Sequence, residues 1–435
     1  MQSRFFPGNA GFQLASEFVG ILPAQGGDSI PQPSRRLEAC VPRDFAILLT
    51  PPTANKNSLK SLDRKPRNHY NGLGSVVRSN RSEDQSSREM PTSENPLRPD
   101  EAHALFSPEV DLHELGILAN AQKQKISGQN VYYSVNVHLN PTNVCRFRCP
   151  LCAFSCDAKD AKAYRLINSE IFALVENAVH SGCSELHWVG GIPDNVPYSW
   201  YAATLKEIHR RFPELSIKAW TAVEILHFAQ TTCRTVADIL SELKSFGLAA
   251  LPGGGAEIFA PEIRKRIAPD KPNAEAWLDV HRTAHELGIP TNATMLFGHL
   301  ELVRHRIDHL LRLRELQEES IRENRPARFE TFVPLVFHPQ GTAFSDRKMI
   351  PAHEILRTIA IGRLFLHNFS HIKAYWVTLG VELAQIALGY GADDFDGTIQ
   401  RERIHHDAGS QVPFGLSEQR IRELIEETGA IAVRR

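Results

Sequence analysis

Val131-Tyr-Tyr-Ser-Val-Asn-Val-His138-Leu-Asn-Pro-Thr-Asn-Val-Cys145-Arg-Phe-Arg-Cys149-Pro-Leu-Cys152-Ala-Phe154 is the stretch from which the rest of the chain can be read. Its first nine residues alternate in the manner of a β-strand, after a Gly128-Gln-Asn turn. The cysteines that follow have the spacing C-x3-C-x2-C. Three thiolates on one short loop can cap three irons of a cubane cluster and leave the fourth without a protein ligand. Ordinary ferredoxin clusters are instead closed by four cysteines. An open iron can be chelated by an amino acid, and an electron can then pass into the bound molecule. Cys156 lies four residues further on, so a four-cysteine structural zinc site is the rival reading; no second C-x2-C pair follows to support it. Cys40, Cys183 and Cys233 are isolated and read as packing or surface residues.

Outward from this loop the chain alternates between strand and helix patterns. Strands are expected at Leu186–Val189, Ile217–Ala222, Leu248–Leu251, Thr291–Phe297, Phe329–Phe337 and Ile372–Thr378, with a short last one near Asp393–Phe395. Apolar stripes at helical spacing lie between them, such as Ile171, Leu174, Val175, Ala178 and Val179, capped by Asn168 or Ser169, or Val303, Ile307, Leu310 and Leu311. A short helix is expected around Leu112–Leu118. Repeated β–α units without an antiparallel run predict a parallel sheet, and at this length a TIM-type (β/α) barrel, complete or partial. A doubly wound open sheet is the main alternative. In a barrel, the loop after a strand opens onto the face where chemistry sits, which is where this reading puts the cysteines.

Residues 1–100 differ. Runs such as Ser75-Val-Val-Arg-Ser-Asn-Arg-Ser-Glu-Asp-Gln-Ser-Ser lack a sustained period and predict a disordered or low-order extension ahead of a barrel spanning 101–435. Met90 is an alternative translation start. Of the 435 residues, 42% are hydrophobic and 23% charged, with a formal net charge of −1, so no global field recommends a nucleic acid or a membrane surface. Seven cysteines, three of them clustered, suit a metal site in a reducing compartment rather than a disulfide scaffold, and the cytoplasm is the expected location.

The C-x3-C-x2-C loop after a first barrel strand resembles the radical S-adenosylmethionine (SAM) superfamily. That resemblance implies a [4Fe-4S] cluster on Cys145, Cys149 and Cys152, and SAM chelating the open iron through its methionine amino and carboxyl groups. It implies SAM-binding roles for Gly190 and Gly191 after the second strand, Glu224 after the third and Glu257 after the fourth. Gly298 and Glu301 would serve near adenine after the fifth. The motifs His138-x-Asn-Pro-Thr-Asn-x-Cys145, Thr221-Ala-Val-Glu-Ile225, Leu251-Pro-Gly-Gly-Gly-Ala-Glu-Ile-Phe259, Thr291-Asn-Ala-Thr-Met-Leu-Phe-Gly-His299 and His371-Ile-Lys-Ala-Tyr-Trp376 further resemble the aminodeoxyfutalosine synthase family of menaquinone biosynthesis. Relatives of that family carry Ser-Pro where this chain has Thr221-Ala222. The chain departs from the pattern at Ile192-Pro193, after the glycine pair, and at Gln340.

The family chemistry is addition of a deoxyadenosyl radical to 3-[(1-carboxyvinyl)oxy]benzoate, giving aminodeoxyfutalosine, methionine and bicarbonate. SAM is then a consumed co-substrate, and a donor such as flavodoxin or ferredoxin supplies the electron. For the dianionic substrate the candidates are Arg148, Thr221, His299, His338 and Lys373. Two alternatives remain: a sister radical enzyme (dehypoxanthine futalosine cyclase or a deazaflavin-chromophore synthase), or a non-catalytic zinc or cluster protein.

Overall fold

The computed structural model describes residues 95–435. Of the low-order extension expected over residues 1–100, residues 1–94, Met90 included, lie outside the described residues. The helix Pro99–Ala104 straddles the expected boundary at 100, and the Leu97 carbonyl accepts a hydrogen bond from Arg314 at 2.8 Å. The next helix, Leu112–Ser127, is far longer than the short one expected, and is capped by the Asp111 carboxylate on the His113 and Glu114 N–H groups.

The strands are β1 (Asn130–Ser134), β2 (Asn136–Leu139), β3 (Glu185–Trp188), β4 (Ser216–Ala219), β5 (Leu248–Ala250), β6 (Thr291–Phe297), β7 (Phe329–Val336), β8 (His371–Ile372), β9 (Asp394–Gly397) and β10 (Ile431–Arg434). All ladders between them are parallel, in three sheets ordered β10-β1-β9, β2-β3-β4-β5 and β6-β7-β8. Single parallel bridges join the sheets, Leu251 to Thr291 and Lys373 to Asp394. Only Val135 separates β1 from β2. Parallel pairing therefore runs from β2 through β8 and β9 to β1, and a single bridge from Gln400 to Val137 brings it back to β2, as a (β/α) barrel requires.

Alternation within the strands decides what faces inward. In β3, Leu186 and Trp188 are buried, while Glu185 and His187 line a central cavity. Trp188 meets Trp220 at 5.0 Å between ring centres, and Trp220 meets Phe228 at 5.4 Å, which seats the helix Ala222–Thr232 on β3 and β4. The strand β6 is buried at every position, as expected of a strand covered on both faces.

Other features differ from expectation. The chain around Ile372–Thr378 is strand only at His371–Ile372 and becomes a helix at Trp376–Leu379, with the Trp376 indole N–H donating to the Gly397 carbonyl at 2.9 Å. The cap of helix Asn168–His180 is Ile167, whose N–H donates to Glu170 at 2.8 Å, rather than Asn168 or Ser169. The strand β10 was not expected; it pairs with β1 and brings the Arg435 guanidinium to 2.5 Å from Asp394. A fully buried ion pair ties the helix Ala352–Phe365 to the start of β9, Arg363 to Asp393 at 2.6 Å, and Asp393 also accepts from the Ile372 N–H at 2.8 Å.

Candidate active site

The loop after β2 is pinned before it reaches its cysteines. Thr142 donates to the Tyr164 carbonyl at 2.7 Å, and Asn143 holds the same segment through Tyr164 N–H and the Lys162 carbonyl, both at 2.9 Å. The Gly191 N–H donates to the Thr142 carbonyl at 2.8 Å. A Cβ on Gly191 would lie 2.2 Å from the Val144 carbonyl oxygen, and one on Gly190 3.1 Å from that of Thr142. What the glycine pair approaches so closely is thus the backbone of the cysteine loop.

Cys145, Cys149 and Cys152 all face one cavity of about 300 Å³. Cys156 does not line it. Its N–H and carbonyl bond the Asn143 carbonyl and the Cys145 N–H, and it bridges Val144 as a short parallel pairing. Burial pushes the Cys149 thiol up to about 11 and raises that of Cys145, so metal binding would have to displace their protons. Among the described residues no group of three His, Cys, Asp or Glu is placed to hold a single ion. A cubane needs no such point, because each thiolate binds a different iron. Three soft donors on one loop, open to a cavity and backed by glycine, fit the cluster.

The neighbouring strand ends supply the rest of that wall. Trp220 (φ 59°) and Glu257 (φ 47°) both sit in the left-handed region, uncommon for such side chains, where the chain leaves β4 and β5. Thr221 and Glu224 follow Trp220 and line the cavity; the Thr221 N–H donates to the Glu224 carboxyl at 2.7 Å. Burial raises Glu224 to about 7, against hydrogen bonds that favour its charge. Glu257 also lines the cavity, 2.6 Å from the Lys271 ammonium. Burial opposes its ionisation, but Lys271 outweighs this and holds it below the usual carboxylate range. Lys271 was not singled out from the sequence.

Four of the sequence candidates lie elsewhere. Arg148 is exposed and pairs with Asp157. Gly298, His299 and Glu301 are outside the cavity lining. The Glu301 carboxylate instead accepts from the Gly298 and His299 N–H groups at 2.7 and 2.9 Å and from Arg306 at 2.8 Å. His299 is turned inward to the Leu296 carbonyl at 3.0 Å. His338 and Lys373 do line the cavity. His338 donates to the Thr378 carbonyl at 2.9 Å, and Lys373 to Asp396 at 3.0 Å.

Beyond these, the interior carries a polar layer that the sequence reading missed. His138, His187 and Lys218 are register partners across β2, β3 and β4, and Lys218 pairs with Glu185 at 2.9 Å. Asp396, Glu402 and His405 complete it. Barrel interiors are ordinarily filled by Val, Ile and Leu. The available signal was polar residues at alternate positions of strands otherwise apolar: Glu185-Leu-His187-Trp and Ser216-Ile-Lys218-Ala.

Residues 139–313 match the radical SAM superfamily, and residues 327–435 the CofH/MqnC C-terminal region. The chain is 41% identical to an aminodeoxyfutalosine synthase of Thermus thermophilus over 75% of this chain and 87% of that protein. It is 39% identical to one of Streptomyces coelicolor over 75% and 85%. A 5-amino-6-(D-ribitylamino)uracil–L-tyrosine 4-hydroxyphenyl transferase of Methanopyrus kandleri is 36% identical over 75% and 88%. Among solved structures, methylornithine synthase superposes with a TM-score of 0.62 at 16% identity, covering 78% of this chain and 95% of that one. The FeFe-hydrogenase maturase HydG of Carboxydothermus hydrogenoformans gives 0.60 at 17%, covering 78% and 76%. Both bear on the fold alone.

Proposed function

The chain belongs to the radical SAM superfamily, in the group that includes aminodeoxyfutalosine synthases, and from that premise we propose that it transfers the adenosyl group of SAM to 3-[(1-carboxyvinyl)oxy]benzoate. The products would be aminodeoxyfutalosine, methionine and bicarbonate. The observation that carries this reading is one cavity in which a three-cysteine loop faces a layer of lysines and histidines instead of a packed apolar interior. Identity of 41% and 39% to the two synthases, against 36% to the tyrosine transferase, favours the synthase.

Cys145, Cys149 and Cys152 would hold a four-iron cluster, which would supply an open iron for methionine and one-electron chemistry toward the sulfonium. The chain's own residues do the remainder. Lys271, fixed by Glu257, stands beside Cys149 and offsets the thiolate charge there. Glu224, close to half ionised at neutral pH, offers an acceptor that can meet an ammonium group. Phe147, Val333, Leu335 and Phe337 line the cavity with apolar surface and exclude water from reactive carbon. Lys218 and Lys373 each retain ammonium hydrogens beyond those their carboxylates accept, and these can orient a substrate carboxylate. A one-electron donor of the flavodoxin or ferredoxin kind completes the system.

The test is substrate choice. Anaerobically reconstituted protein should be given SAM and reductant with either the benzoate or L-tyrosine plus 5-amino-6-(D-ribitylamino)uracil. Mass spectrometry should find aminodeoxyfutalosine from the first mixture and no coupled product from the second. The reverse result would assign the chain to the transferases.

A further inference from the structure

His138 and His187 stand side by side on β2 and β3, their rings stacked at 4.5 Å between centres and 13° from parallel. Both line the cavity, and His138 is only 6% exposed. Among the described residues neither imidazole has a hydrogen-bond partner. Two adjacent imidazoles, one buried and one half-buried, that face the same cavity without a partner mark a place for a ligand.

The charges around the pair define that ligand. From β3 comes Glu185 and from β4 Lys218, paired with each other at 2.9 Å. Lys373 follows β8 and is matched by Asp396 of β9 at 3.0 Å. Glu402 faces the pair from the loop after β9, and is held by His405 and His406 at 3.2 and 3.0 Å. Every lysine in this layer is already matched by a carboxylate. Their spare ammonium hydrogens can still donate, but the layer gains no positive charge to balance an entering anion unless an imidazole takes up a proton.

We propose that the His138–His187 stack is the recognition element for a carboxylate of the substrate, which docks together with one proton taken up by the pair. This rests on the substrate reading above. Without ligand, burial lowers His138 to about 3 and His187 to about 4, so both are neutral at neutral pH. A docked carboxylate favours the imidazolium and raises the value for the pair. A second proton would set two cations face to face at the stacking distance, so the pair takes one. The sign is fixed by linkage: affinity is full below the free pair's value, falls about tenfold per pH unit between that and the raised value of the complex, and levels off above it.

Calorimetry on cluster-loaded protein, without reductant, tests this with 3-[(1-carboxyvinyl)oxy]benzoate as probe. Titrations in two buffers of different ionisation enthalpy at neutral pH should give uptake of about one proton per molecule bound. His138→Gln and His187→Gln should each weaken binding by at least about tenfold and abolish the uptake, a loss expected when a charge-assisted bond goes. Iron content and SAM affinity of both variants should match the parent, which excludes misfolding. Absence of uptake in the parent, failure of the parent to bind, or variants that bind as the parent does would overturn the proposal. If L-tyrosine binds instead, with the same uptake and the same losses, the stack stands as the carboxylate site and the benzoate reading falls.

Discussion

Four cysteines between positions 145 and 156 divide by what they face. Cys145, Cys149 and Cys152 open onto the cavity, whereas Cys156 is buried in the backbone pairing that braces the loop. Cys156→Ser should therefore keep its iron, sulfide and visible absorbance, while serine at any of the other three should remove them. This triad was legible because spacing alone carries it. The His138–His187 pair was not, because a single histidine on a strand says nothing of its neighbour until the register is known. Glu224 gives a pH signature. Its folded value near 7 lies above the ordinary 4.5, so between those limits the native state binds more protons than the unfolded chain, and stability falls as pH rises. The slope is at most about 1.4 kcal/mol per pH unit. Urea unfolding at pH 5 and pH 7 should show this decline in the parent and a flatter profile in Glu224→Gln.

Elements are joined here both through backbone contacts and through buried side chains. The end of β3 touches the cysteine loop so closely that Gly191→Ala must push the Val144 carbonyl aside, a contact no rotamer can relieve. That variant should lose most of its iron on reconstitution, while Gly190→Ala, with a looser 3.1 Å contact, keeps most of it. A second junction is the Arg363–Asp393 pair between the helix Ala352–Phe365 and the start of β9, with neither side chain exposed. Arg363→Met leaves the buried Asp393 carboxylate with only His371 and the Ile372 N–H as partners and should cost about 3–5 kcal/mol in chemical unfolding. Long strands with unbroken apolar patterns were readable from sequence, β6 to the residue. The segment after Ile372 was not, since its apolar run Ala374-Tyr-Trp-Val377 is buried as turn and helix, and periodicity cannot separate that from strand. The four-residue β10 gave too short a pattern to register, and it exists because β1 has a free edge to fill.

Across the whole molecule, the ring of parallel strands places one loop's thiols and a layer of polar side chains around a single cavity. Barrel and cluster loop followed from sequence because both are repeated or local patterns; the polar layer needed closure of the ring, which brings β2, β3 and β4 opposite residues near 373 and 396. No helix among the described residues is long and apolar enough to cross a membrane. The central claim is that this cavity joins the adenosyl group of SAM to a carboxyvinyl ether. It is tested most directly by following isotope in the adenosyl moiety of SAM through turnover with 3-[(1-carboxyvinyl)oxy]benzoate and a reductant. The account predicts label covalently incorporated in aminodeoxyfutalosine, with methionine formed in step and free deoxyadenosine a minor by-product. Label recovered only as deoxyadenosine, with the benzoate unchanged, would contradict it.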